Sequence, residues 1–314
     1  MVADPRILVL GGGGFVGAHL HAALIAQFGQ TARILNTTRT PLDSQTLALD
    51  IQDTEAVRVV VQQENPTHII NLVGIAAPAE ARRNPALAWE LHALAPDRLG
   101  RMVLQEAPEC WLFHVSSGLI YGRTALDGLP VDESARLDPM DTYAMTKAAG
   151  DLAMGVLAGE GLKCLRLRPF NHTGPGQTED FVVPAFSAQI ARINAGKQPP
   201  VMQVGNLEAA RDFLDVRDVV AAYTALIRRA DSLRSGNIYN ISSGRAVSMQ
   251  HILDRLIQMS GLKISVEPDP LRQRPSDLHR IVGSADALAR DIDWKPAFSL
   301  DQTLCETFSY FEGK

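Results

Sequence analysis

Ile7-Leu8-Val9-Leu10-Gly11-Gly12-Gly13-Gly14-Phe15-Val16-Gly17 is the stretch that decides the fold. Four aliphatic residues in a row read as a buried strand, and the glycines after them as a tight turn into a helix. Glycines at 11, 14 and 17 let a backbone approach a pyrophosphate closely and let a helix pack hard against its strand. The phosphates would sit at the helix amino end, where unpaired N–H groups and the helix dipole favour negative charge. Phe15 and Val16 open that helix and belong to the same candidate cofactor surface. A bare glycine turn is a weak signal; its place between strand and helix is what makes it a dinucleotide signal.

Outward from this turn, short apolar runs alternate with helical stretches, the pattern of a parallel sheet covered on both faces. Strands are expected at Arg6 to Leu10, Arg33 to Thr37, Thr46 to Leu49, His68 to Val73, Cys110 to Ser116 and Lys163 to Arg168. Helices are expected at Gly14 to Phe28, Thr54 to Gln63, Pro85 to Glu106 and Thr142 to Ala158. The fold class is therefore α/β, a doubly wound parallel sheet, with a smaller discontinuous α/β lobe that binds substrate. Residues 1–168 and 212–242 are assigned to the dinucleotide-binding domain, and 169–211 and 243–314 to the second lobe.

About twenty residues on, at the end of the second strand, an acid would bind a ribose diol. Here Asn36 occupies the place, with Thr37, Thr38 and Arg39 after it, and an uncharged residue beside a guanidinium suits a 2′-phosphate. NADP is expected over NAD. Asp50 and Ile51 would meet the adenine edge, and Leu72, Val73 and Gly74 would lie along the cofactor. Tyr143-Ala144-Met145-Thr146-Lys147 puts a phenol and an ammonium one helical turn apart, on the same face. A neighbouring cation should lower the tyrosine's high pKa toward the range useful for acid/base work. Ser117, after the apolar run Cys110 to Val115, would present a hydroxyl at a strand's carboxyl end.

Composition narrows the class. The 314 residues are 46% hydrophobic with net charge −5 and no basic run, which argues against a nucleic-acid surface. No apolar stretch approaches membrane-spanning length, and Met1 to Arg6 lacks a secretory pattern, so a cytoplasmic protein is expected. Cys110, Cys164 and Cys305 sit among apolar neighbours and read as buried free thiols; no metal set is apparent. The sequons at Asn36, Asn171 and Asn240 then carry no meaning.

The glycine turn, Ser117 and Tyr143-x-x-x-Lys147 together resemble the extended short-chain dehydrogenase/reductase family of Rossmann proteins acting on nucleotide sugars, also called the epimerase/dehydratase family. The carboxyl half narrows the resemblance. Arg168-Pro169-Phe170-Asn171-His172-Thr173-Gly174-Pro175-Gly176-Gln177, then Phe181-Val182-Val183-Pro184, then Gly205 to Val216 look like the branch that reduces GDP-6-deoxy-4-keto-D-mannose. The resemblance implies Tyr143 as proton donor to the C4 oxygen. Lys147 would hold the nicotinamide ribose and tune the phenol, and Ser117 would bind the same oxygen as Tyr143. Asn171, Val183, Arg211 and Arg274 would hold the sugar nucleotide, the arginines on its diphosphate. Related dehydratases place a carboxylate directly after the catalytic hydroxyl, whereas Gly118 follows Ser117 here, so reduction is expected over elimination. A 4-epimerase with tightly bound NAD uses the same three residues, and a non-catalytic dinucleotide sensor is a third, weaker reading. The chain departs from its relatives at Leu10, where many carry threonine, Asn71, where they carry histidine, and His92, where they usually carry asparagine. Two helices rich in small residues, among them Ala144, Ala148, Ala149, Ala153 and Gly155, imply the four-helix homodimer interface of the family.

Overall fold

The computed structural model describes residues 4–40, 46–270 and 278–314. Its strands in chain order are β1 (Arg6–Leu10), β2 (Arg33–Thr38), β3 (Thr46–Ala48), β4 (His68–Asn71), β5 (Trp111–Val115), β6 (Cys164–Pro169), β7 (Asn171–Thr173), β8 (Val201–Val204), β9 (Ala210–Asp215), β10 (Ile238–Ile241), β11 (Ala246–Ser248), β12 (Ser265–Pro268) and β13 (Arg280–Ile281). The α-helices are α1 (Phe15–Phe28), α2 (Thr54–Glu64), α3 (Pro78–Arg83), α4 (Pro85–Trp89), α5 (Ala95–Glu106), α6 (Thr142–Gly159), α7 (Val182–Asn194), α8 (Val216–Arg229), α9 (Met249–Ser260), α10 (Asp286–Ile292) and α11 (Leu300–Glu312).

Seven strands form one sheet in the order β10-β6-β5-β4-β1-β2-β3, every pairing parallel. β1 has no solvent face. Ile7 and Val9 pack with Leu20 and Leu24 of α1 and Leu226 of α8, while Leu8 and Leu10 pack with Val57 and Val61 of α2 and Leu99 of α5. Each such side chain contributes about 1.5–3 kcal/mol by leaving water, so an unbroken aliphatic run is what a strand covered on both faces requires. Chain order reverses between β1 and β4, which opens a crevice at their carboxyl ends. The glycine turn leaves β1 there, and Leu72 to Gly74 leave β4 beside it.

The stretch expected as one helix from Pro85 to Glu106 is broken: α4 runs into a π-helical turn over Glu90–Leu94 before α5 begins. The cause is Pro96, which has no N–H to give the His92 carbonyl four residues back. The Ala95 N–H reaches Glu90 O instead, five residues back.

The second lobe is built on β9, which pairs with β7 and β13 in parallel and β11 antiparallel, beside the separate β8–β12 pair. Its core joins Val183 and Phe186 of α7, Phe213 of β9, Leu253 and Leu256 of α9 and Phe308 of α11. Residues 212–215 thus hydrogen-bond in the small sheet, and the chain rejoins the large sheet's layer at α8, which packs on α1. Cys110 and Cys164 are buried free thiols, but Cys305 is exposed because it falls on the outer face of α11. Asn240 is fully buried. No helix of the described residues is long and apolar enough to cross a membrane.

Candidate active site

Tyr143 stands in the first turn of α6, whose amino end is fixed by Asp141 accepting from the Ala144 N–H at 2.8 Å. Ser117 follows β5 and caps the short 3-10 stretch Gly118–Ala125, its Oγ accepting from the Leu119 N–H at 3.2 Å. The Ser117 hydroxyl lies close enough to the Tyr143 phenol to oppose the rise of its pKa, so the strand end and the helix start put the two groups in one neighbourhood. Ser117, Tyr143 and Lys147 are all buried, at 7%, 9% and 6% exposed.

The expected depression of the tyrosine is corrected by this geometry. Burial pushes the Tyr143 phenol up to about 12, with the Ser117 hydrogen bond opposing. The Lys147 Nζ donates to the Val115 carbonyl at 3.0 Å, not to the phenol, so it does not offset that rise. Burial brings Lys147 itself down to about 8. One helical face holds both groups, yet a shared face does not make them partners.

α6 is anchored from beneath by residues that sequence reasoning missed. Asp151 of α6, fully buried, takes Arg168 of β6 in a two-point pair at 2.7 and 3.0 Å, and Arg166 at 3.1 Å. Arg168 also donates to Tyr121 Oη at 2.8 Å, and Tyr121 to Asn240 Oδ1 at 2.8 Å. The carboxylate and phenol hold the Arg168 guanidinium above its ordinary pKa. Arginine in the RLRP run was the available signal, but its partner is remote in sequence.

The crevice fits a dinucleotide. Gly11 has φ +80°, and a Cβ there would lie 3.1 Å from the Val73 nitrogen, so glycine is required where the turn meets the β4 exit. A Cβ on Gly17 would come within 2.4 Å of the Gly12 carbonyl, which is what holds α1 close to the turn. The amino end of α1 begins at Gly14 with no side-chain cap, leaving its first N–H groups available to phosphate, with Phe15 and Val16 in the first turn. Asn36, in the carboxyl half of β2, packs over Gly12, and its Oδ1 is buried without a hydrogen-bond partner. Such an oxygen suits a ribose hydroxyl. Arg39 lies just beyond β2, exposed. Asp50, half-buried, accepts from the Gln52 N–H at 3.0 Å, and Ile51 is buried beside α2. Leu72, Val73 and Gly74 are half-buried at the β4 exit, with Val73 N–H bonded to Asn71 Oδ1 at 3.0 Å. Asn71, one of the departures, thereby shapes that exit.

Across the crevice the candidates scatter more. Asn171 is half-buried in β7, opposite Phe213 of β9. Arg211 is in β9 between β11 and β13, and burial lowers its pKa. The nearby acids serve other donors: Asp212 takes Ser243, Gly244 and Gly283, and Asp215 takes Arg217 and Thr303. The Val183 side chain is fully buried in the second-lobe core, so only its backbone, at the uncapped start of α7, is left for a ligand. Arg274 lies outside the described residues. His172 bonds the Phe170 carbonyl at 2.9 Å and stacks on Phe15, a structural place, as its position after a strand suggests. A cleft of about 520 Å³ lined by Val204, Gly205, Asn206, Glu208 and Pro268 was not anticipated. Gly205-Asn206, a turn signal after a strand, marked it.

A reversing parallel sheet, a phosphate-ready glycine turn and a buried Ser-Tyr-Lys set define an NAD(P)-dependent oxidoreductase of the extended short-chain type. The family model for GDP-mannose 4,6 dehydratase matches residues 8–307, and the chain belongs to that family. It is 31% identical over 312 residues to the GDP-6-deoxy-D-mannose reductase of Pseudomonas aeruginosa, covering 98% of each chain. The GDP-6-deoxy-D-talose 4-dehydrogenase of Aggregatibacter actinomycetemcomitans is 24% identical over 295 residues, 90% of each chain. Among solved structures, RMD from Pseudomonas aeruginosa complexed with NADPH superposes with a TM-score of 0.87 at 30% identity, covering 98% of this chain and 99% of that one. The Thermus thermophilus UDP-glucose 4-epimerase in complex with NAD gives 0.84 at 26% identity, with 98% and 99% covered.

Proposed function

We propose that the protein reduces a GDP-linked 4-keto-6-deoxyhexose at C4 with NADPH, giving a GDP-6-deoxyhexose such as GDP-D-rhamnose. The observation that carries this is the composition of the site around Ser117. Eliminating water from a hexose needs an acid/base group next to the catalytic hydroxyl. Here Gly118 follows Ser117, and any Cβ at 118 would lie 2.8 Å from the Phe170 ring. A carbonyl reduction asks for less: a hydride, a proton and a grip on one oxygen.

NADPH, when bound, supplies the hydride. Asn36, which is uncharged, and Arg39 beyond it favour a 2′-phosphate over a bare diol. Gly11, Gly14, Gly17 and the start of α1 hold the pyrophosphate, while Leu72 to Gly74 flank the ring end. Tyr143 donates its proton to the C4 oxygen as charge develops there, and Ser117 donates a hydrogen bond to the same oxygen. A phenol held near pKa 12 is protonated at neutral pH, the state a donor needs. Lys147, whose Nζ is held at the Val115 carbonyl, takes the nicotinamide ribose. Asn171 and Arg211 take the sugar nucleotide, with Arg274 expected on its diphosphate. Both similarities to the Pseudomonas reductase support this choice of substrate and cofactor.

The division into a dinucleotide domain and a nucleotide-sugar lobe is part of the same reading, with the boundary near Val216. So is a homodimer. Met145, Leu152 and Val156 form an exposed apolar stripe on α6, with Trp89 and Leu94 exposed on the neighbouring helical segment. Ala144 and Ala148, expected at such an interface, are instead buried in the chain's own interior, so the large residues form the stripe.

A panel of GDP-, UDP- and dTDP-linked 4-keto-6-deoxy sugars with NADPH and NADH is the test. Stoichiometric NADPH consumption with the GDP sugar is expected, and Tyr143→Phe should lower kcat about 10²–10⁴-fold while still binding NADPH. A 4-epimerase would retain NAD through dialysis and interconvert sugars without net consumption, and that result would overturn the reductase.

A further inference from the structure

His92 is fully buried, and both ring nitrogens are engaged. Nδ1 lies 2.8 Å from Thr146 Oγ1, while Nε2 lies 3.0 Å from the Ile75 nitrogen and 3.1 Å from the Ile75 carbonyl oxygen. One nitrogen cannot accept and donate at once, so two neutral forms compete. With the proton on Nε2, the ring donates to the Ile75 carbonyl and leaves the buried Ile75 N–H without an acceptor. With the proton on Nδ1, Ile75 donates to Nε2, the ring donates to Thr146, and Thr146 donates to the Thr142 carbonyl at 2.8 Å. Only the second form satisfies every donor, and an unmet buried N–H is the costlier outcome.

The elements this ring joins are those of the site. Thr146 lies between Tyr143 and Lys147 on α6. Ile75 follows Gly74, and a Cβ on Gly74 would lie 3.0 Å from the His92 ring and 3.2 Å from Lys147 Nζ. The ring also meets Tyr143 edge to face at 5.4 Å. His92 sits in the π turn, and its carbonyl is pressed against Gly150, where a Cβ would be 2.0 Å away. The ring's place is therefore set from both its backbone and its tip.

We propose that His92 is a positioning residue: a neutral, Nδ1-protonated imidazole that ties the Gly74–Ile75 backbone on the cofactor side to the α6 turn bearing Tyr143 and Lys147. This rests on the reading of Tyr143 as proton donor. Burial and the Lys147 charge hold the ring's pKa down to about 3, which keeps it neutral at working pH.

The test has an arm that needs no turnover. Nitrogen-15 NMR of histidine-labelled protein without cofactor, near neutral pH, should show His92 protonated at Nδ1; an Nε2-protonated ring or an imidazolium would overturn the proposal. In kinetics, His92→Leu keeps bulk but loses both bonds, and is expected to weaken NADPH binding about 10-fold and lower kcat about 10- to 100-fold. His92→Gln, which can still accept from Ile75, should recover NADPH affinity to within about 3-fold of wild type. A His92→Leu protein with wild-type affinity and kcat would mean the ring only fills space. Should His92→Leu not fold, Thr146→Val serves in its place: kcat lower by about 5- to 20-fold, sugar KM unchanged, and recovery in Thr146→Ser. An unchanged kcat there overturns the proposal equally. If the wild type reduces no keto sugar, the function fails, while the tautomer and NADPH affinity still decide the role of His92.

Discussion

At Lys147 the site holds a charge that the fold does not favour. Its ammonium donates to the Val115 carbonyl and faces the rings of His92 and His114, and burial takes its pKa from 10.5 to about 8. Between those values the unfolded chain binds a proton that the native protein has released, so stability rises with pH across that window. Below about 8 both states are protonated and the whole desolvation cost remains. Lys147→Met is therefore expected to be more stable than wild type near neutral pH by on the order of 1–3 kcal/mol, and inactive. The gap should close as pH climbs toward 10.5. Calorimetric melting of both proteins at pH about 7 and about 10 checks it, and a variant that melts lower at both would contradict the sign. The residue types of the site, Ser117, Tyr143 and Lys147, were readable from the chain. The tyrosine's raised pKa was not, because it depends on how deeply the fold buries the phenol.

Helix α6 and the π turn before α5 meet at closer range than helices usually do, and Gly150 is the residue that permits it. Adding a methyl there puts carbon 2.0 Å from the His92 carbonyl oxygen. Gly159, at the other end of the same helix, would have nothing within 4 Å of an added methyl and has no positive φ. Alanine normally stabilises a helix over glycine, so the two positions should respond with opposite signs. Gly159→Ala is expected to raise stability by about 0.4–1 kcal/mol, and Gly150→Ala to lower it by about 1–3 kcal/mol with loss of activity. Urea unfolding of the pair reads both. The elements themselves were legible: strands β1 to β6 of the large sheet lie where the sequence placed them. The break in the helix expected from Pro85 to Glu106 was missed although Pro96 is its signal, and its consequence, a freed His92 carbonyl facing Gly150, appears only once α6 is packed alongside.

For the whole molecule, the stripe formed by Leu152 (56% exposed), Val156 (59%) and Met145 (41%) with Leu94 (51%) predicts self-association. Sedimentation at micromolar concentration should give a dimer for wild type and a monomer for Leu152→Glu, with the monomer's far-UV spectrum unchanged; a monomeric wild type removes the interface. Taken alone, the amino-acid sequence determined the layered α/β class and singled out the glycine turn and three candidate side chains, because periodicity, glycine spacing and chemical type are local properties. Tertiary structure decided which of those side chains touch. Ser117 and Tyr143 are separated in the chain and become neighbours only because β5 ends beside the start of α6. His92 became a link between cofactor loop and proton donor only when a π turn, a glycine and a threonine from separate segments closed around it. A buried hydrogen bond needs both partners in place at once, and no single stretch of chain contains both.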